Sequence, residues 1–92
     1  MIPTTERIHT VLARIETLLV EKNAAYGDSA LHPVRIFSRA APTEQLKVRL
    51  DDKLSRIAKG HGVGDTEDVL LDLVGYLVLL LVARDIASEG ER

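Results

Sequence analysis

The sequence predicts an all-α fold: a helical bundle of three long helices plus one short helix, completed by subunit association. Three observations predict it. Apolar residues recur at helical spacing over long segments, and turn-forming residues separate those segments. The last segment is apolar nearly all round, whereas a helix between one core and solvent keeps a polar face. The chain has 92 residues, read as one helical domain spanning 1–92, and so short a chain gains stability by association.

The first helix is predicted from about Thr5 to Lys22, where Ile8, Val11, Leu12, Ile15, Leu18 and Leu19 form one apolar stripe. Thr4 or Thr5 suits its N-cap, and Pro3 discourages an earlier start. Asn23 to His32 reads as a loop around the turn-forming run Tyr26-Gly27-Asp28-Ser29. Pro33 can open a short helix, Val34 to Arg39, before Ala41-Pro42-Thr43 breaks the chain again. Thr43 is the expected N-cap of the third helix, with Glu44 favoured in its first turn. Leu46, Leu50, Leu54 and Ile57 are expected on its buried side, and Gly60 as its left-handed cap. The stretch HGVGD reads as a turn, and Asp65 or Thr66 as the cap of a fourth helix running to about Ser88. Asp65 and Asp68 stand at capping-box spacing. From Val69 to Val82 this helix is apolar nearly all round, which implies burial on two sides: its own core and a partner subunit. The final SEGER is expected to fray.

Composition narrows the function. There is no cysteine, so disulfides, zinc-thiolate sites and thiol nucleophiles are excluded, and the chain suits a reducing cytoplasm. A net charge of -2 argues against duplex nucleic acid as a partner, because such binding needs a large basic surface. The aromatics are Tyr26, Phe37 and Tyr76, too few for a single-strand stacking platform. Early charges in MIPTTERIHT do not read as a signal peptide. The apolar run Leu73–Ala83 is 11 residues between Asp72 and Arg84, against the roughly 20 of a membrane span. There is no Gly-rich phosphate loop, nucleophile elbow or paired-His motif, and His9, His32 and His61 receive no role.

Three groups of residues have the chemistry of a site. The first is acidic: Asp68 and Asp72 are four apart and share a helix face, with Gly75 and Tyr76 one turn on. Asp72 sits inside LLDLVGYLVLLL, where an ionised carboxylate needs a counter-charge or a metal. With Asp51 and Asp52 of the preceding helix, Asp68 and Asp72 are candidate magnesium ligands; such a metal would bridge phosphates and polarise water. The alternative is an ion-pair network in which Arg49, Lys53 or Arg56 reaches Asp68 or Asp72. The second group is Lys22-Asn23-x-x-Tyr26-Gly27-x-Ser29, a ring, amide, hydroxyl and cation able to hold a base and a sugar or phosphate, or else an ordered turn. The third is basic: Arg35, Arg39, Lys47, Arg49, Lys53 and Arg56, either a solvated face or, in part, a phosphate-facing one.

Three blocks in order, Lys22-Asn23-x-x-Tyr26-Gly27-x-Ser29, Arg49-Leu50-x-x-Lys53-Leu54-x-Arg56 and Glu67-Asp68-x-x-x-Asp72-Leu73-x-Gly75-Tyr76, resemble the nucleotide-modification-associated domain 1 family. Its members are small helical proteins common in bacteriophages and their hosts, and the resemblance covers roughly Leu19 to Ala83. More distantly the chain is similar to the all-α NTP pyrophosphatases of the MazG and dimeric dUTPase group. Those enzymes pair subunits, bind magnesium through acids on two helices, and release pyrophosphate from nucleoside triphosphates. The resemblance implies metal ligands at Asp68 and Asp72 on one helix and at Asp51 or Asp52 on the other. It implies Lys53 and Arg56 near phosphates, and Tyr26 with Asn23 near the base. The chain departs from the MazG pattern Glu-Glu-x-x-Glu, reading Asp51-Asp52-Lys53-Leu54-Ser55, and Val69 stands where Glu-x-x-Asp places its glutamate.

The leading expectation is a magnesium-dependent nucleotide pyrophosphohydrolase, with Asp52 and Asp72 catalytic. Lys22, Asn23, Tyr26, Ser29, Arg49, Lys53, Arg56 and Tyr76 are its expected nucleotide-binding residues. The thinned acidic set favours the alternative, a non-catalytic nucleotide-binding or sequestering oligomer; a third reading is a structural interaction module. The expected partners are copies of the chain itself, as homodimer or higher oligomer, and a small nucleotide, with neither duplex nucleic acid nor membrane.

Overall fold

A computed structural model describes residues 1–33, 35–60 and 67–90. They form three α-helices: α1 (Thr4–Ala25), α2 (Pro42–Ala58) and α3 (Glu67–Gly90). The all-helical class stands. Among the described residues no helix is long and apolar enough to cross a membrane.

The helix starts differ from the capping expectations. α1 begins at Thr4 behind Pro3, and α2 at Pro42 behind Ala41, neither with a side-chain cap. Pro42 takes the first turn of α2, where its missing N–H removes no helical bond, so Thr43 lies inside the helix rather than capping it. The caps expected at Asp65 and Thr66, and the HGVGD turn, lie outside the described residues.

No helix forms over residues 35–40; Val34 lies outside the described residues. Side chains there capture the backbone. The Ala40 N–H donates to Ser38 Oγ at 3.1 Å, while Arg35 Nη1 and Gln45 Nε2 donate to the Ala40 carbonyl at 2.7 and 3.0 Å. Such local bonds offer the chain an alternative to the helical ladder.

The helix ends follow glycine. After α1, the Gly27 N–H donates to the Ala24 carbonyl and the Asp28 N–H to the Asn23 carbonyl, the paired bonds of a Schellman turn. That turn needs a left-handed residue, and Gly27 has φ +61°. α1 thus runs three residues beyond the expected Lys22, absorbing Asn23. Gly60, at φ +68°, closes α2 in the expected way.

α3 is the hub: it packs along α2 and touches α1 over a shorter stretch, while α1 and α2 do not pack on each other. The buried apolar core is small, Leu46, Leu50, Val69 and Ala83. Leu54, expected inside, is exposed, and Ile57 is half-buried. No residue of α1 is buried. At Gly75 α1 and α3 come close: a Cβ there would meet Leu19 Cδ2 at 3.0 Å. Removing that side chain is what brings α1 down onto α3.

Candidate functional site

The Schellman turn has a consequence for chemistry. It reverses the chain directly after α1, so Lys22 and Asn23 on the last helical turn and Tyr26 and Ser29 beyond it stay on one side. Opposite them, α3 presents Asp72, Gly75 and Tyr76 at one-turn spacing, and α2 contributes Arg49. Between them lies a hollow of about 300 Å³ with Lys22, Asn23, Tyr26, Ser29, Arg49 and Tyr76 on its walls, beside Asp72. Six of the eight residues expected to bind a nucleotide therefore line a single space. Its floor is apolar, formed by Leu19, Leu71 and Leu79. These leucines were assigned only to packing, since nothing in a periodic stripe distinguishes a residue under a pocket from one under another helix.

Asp72 is the electrostatic centre. Its Oδ2 lies 3.0 Å from Lys53 Nζ of α2, and its Oδ1 lies 3.8 Å from Lys22 Nζ of α1. One carboxylate thus ties all three helices together through two cations. Its side chain is 34% exposed and that of Lys53 25%, so the closer pair is partly withdrawn from water. This is the ion-pair alternative for Asp72, with Lys53 as one of its named partners and Lys22 as one that sequence reasoning missed. The two sit on helices far apart in sequence, so only the packing brings them together.

A second hollow, of about 370 Å³, lies on the other side of the Lys22–Asp72 pair, with Ile15, Leu18 and Asp68 in its wall. The two hollows share Leu19, Lys22, Leu71 and Asp72. The Lys22–Asp72 pair is therefore a partition, and at 3.8 Å a weak one.

The remaining candidates stand apart. Asp52 pairs with Arg56 of the next turn at 3.1 Å on the exposed surface of α2, and Asp51 is exposed beside it. Neither these two aspartates nor Arg56 lines either hollow. Among the described residues no three His, Asp or Glu side chains gather where a metal ion could be held. Asp68 and Asp72 share a face, but Asp72 is already neutralised by lysines. Of the four expected metal ligands, Asp68 and Asp72 lie on α3 and Asp51 and Asp52 on the exposed surface of α2.

No protein-family model, characterised protein or solved structure matches this chain.

Proposed function

We propose that this chain binds a nucleotide, holds it without hydrolysing it, and does so as a homo-oligomer. One observation carries the reading: Lys22, Asn23, Tyr26, Ser29, Arg49 and Tyr76, from three separate stretches of chain, wall the same hollow. Two phenol rings and an amide suit a base and sugar, while a lysine and a guanidinium suit phosphate oxygens. A hollow of about 300 Å³ is at the small end of ligand sites, roughly 300–1,000 Å³, and the second hollow behind the Lys22–Asp72 partition extends it.

Asp72 then acts as an internal counter-anion. An incoming phosphate in the hollow competes with it for Lys22. Binding without hydrolysis is preferred because, among the described residues, no three carboxylates gather at one point. Self-association is supported by surface that a lone chain leaves uncovered: Leu70, Leu77, Leu81 and Ile86 of α3 are all exposed.

The test is a panel of ribo- and deoxynucleotides, with and without magnesium, followed by thermal shift and by chromatography of products. Stabilisation that grows with phosphate number, with no pyrophosphate released, is the expected result. Saturation at about 100 times Kd raises stability by about 2.7 kcal/mol. Asp72→Asn should bind a triphosphate about tenfold tighter, since Lys22 loses its resident partner. Weaker binding with loss of product formation would favour the magnesium hydrolase instead, and no shift with any nucleotide would remove the proposal.

A further inference from the structure

Between α2 and the end of the α1 turn runs a short arm, Arg35-Ile36-Phe37-Ser38-Arg39, with no helix in it. Phe37 is 99% exposed and Ile36 74%, so the chain's only phenylalanine touches almost nothing in its own subunit. The arm is nonetheless shaped, because Arg35 and Ser38 bond the backbone of Ala40. An exposed aromatic on a segment with fixed backbone is the form of an anchor residue, with only two side-chain torsions to fix on docking.

Next to the nucleotide hollow, with which it shares Leu19, Asn23 and Leu79, lies a groove of about 620 Å³ between α1 and α3. Its walls are apolar, with Leu12, Val20, Val78 and Val82 among them, and Glu16 and Asp28 supply its acids. The arm has the complementary pattern: two apolar residues flanked by Arg35 and Arg39. The groove has no lysine or arginine in its lining to oppose them.

The surface of the chain calls for such a contact. A compact monomer of 10.1 kDa exposes roughly 5,300 Å² by the size scaling of folded proteins, whereas this chain exposes 7365 Å². The excess, on the order of 2,000 Å² per chain, is the scale that obligate homodimers bury.

We infer that the arm of one subunit inserts Ile36 and Phe37 into the α1–α3 groove of a second copy, with Arg35 and Arg39 facing its Glu16 and Asp28. This rests on the self-association proposed above and names the surfaces that bring it about. Each copy carries both arm and groove, so a two-fold pair satisfies two such contacts at once.

The chain has no cysteine, which makes the test clean. Ile36→Cys and Val20→Cys variants, one carrying a mass tag, are mixed and oxidised without any nucleotide. A disulfide between the tagged and untagged chains is expected, in clear excess over a control mixture of Ile36→Cys with Lys59→Cys. In parallel, Phe37→Glu should weaken self-association at least tenfold by sedimentation, and Phe37→Leu should restore much of it. Phe37 is solvent-facing within its own subunit, so helical content measured at concentrations that keep each variant associated should not change. Oligomers that form without the mixed disulfide, or that ignore Phe37→Glu, overturn the arm contact while leaving self-association standing. A disulfide formed within single chains carrying both cysteines, with none between chains, overturns it in favour of the arm closing on its own groove. A chain that stays monomeric overturns both the arm contact and self-association, and a nucleotide thermal shift on the same samples tests binding separately.

Discussion

At the scale of single residues, Asp72 is where the sequence and the structure speak most directly to each other. A carboxylate inside an apolar run must be compensated, and that necessity was legible from LLDLVGYLVLLL. The identity of the compensating groups was only half legible. Lys53 was one of three cations within reach on the preceding helix, but Lys22 arrives from α1 because the helices pack around it. The two lysines do not contribute equally. Lys53 sits 3.0 Å from the carboxylate and is mostly covered, whereas Lys22 sits at 3.8 Å with a 59% exposed side chain. Exposed pairs contribute roughly 0–1 kcal/mol, and solvent screening puts Lys22 at the low end of that range. Lys53→Met should therefore destabilise the fold by about 1–2 kcal/mol, between the exposed and fully buried cases. Lys22→Met should change stability by less than about 0.5 kcal/mol while still weakening nucleotide binding. Urea unfolding of both variants checks the order; equal losses would mean that both lysines are held alike in solution.

At the scale of elements, periodicity revealed the three long helices because their cores are built from Leu, Ile and Val at regular spacing. Their beginnings were less legible. Threonine capping and proline at the first turn are rival ways to start a helix: Pro42 takes the first turn of α2, while α1 starts behind Pro3 with Thr4 inside the helix. The short helix failed for a related reason: Ser38 and Arg35 spend their hydrogen bonds on Ala40, a choice made by local side-chain geometry that spacing does not encode. Gly75 was legible as part of a block, yet its physical task became visible only where Leu19 lies over it. Two substitutions separate that task from helix propensity. Gly75→Ala gains up to about 1 kcal/mol of propensity and asks the end of Leu19 to move by a few tenths of an ångström, so it should be within about 1 kcal/mol of neutral. Gly75→Val adds branched bulk and should cost about 1–3 kcal/mol, prise α1 from α3, and widen the floor of the pocket. Thermal melts with nucleotide titrations measure both effects. If valine is tolerated as well as alanine, α1 does not rest on α3 at this point.

At the scale of the whole molecule, the decisive quantity is how little the single chain encloses. Its radius of gyration is 15.3 Å, against about 12 Å for a compact domain of this length. α1 buries no residue at all, and Leu70, Leu77, Leu81 and Ile86 of α3 remain exposed. A helix does not gain its stability from propensity alone; it needs a covered face. On the proposed self-association the covering comes from a second copy, so that folding and association are one equilibrium and stability depends on concentration. For such a dimer a tenfold dilution lowers stability by about 1.4 kcal/mol, which for a unit of this combined size lowers Tm by about 3–5 °C. Calorimetric melts over a hundredfold range of concentration should show that slope, together with a sedimentation mass above the 10.1 kDa of one chain. A Tm independent of concentration at the single-chain mass would mean that α1 closes over α3 by itself in solution, burying the groove that a second copy is proposed to fill.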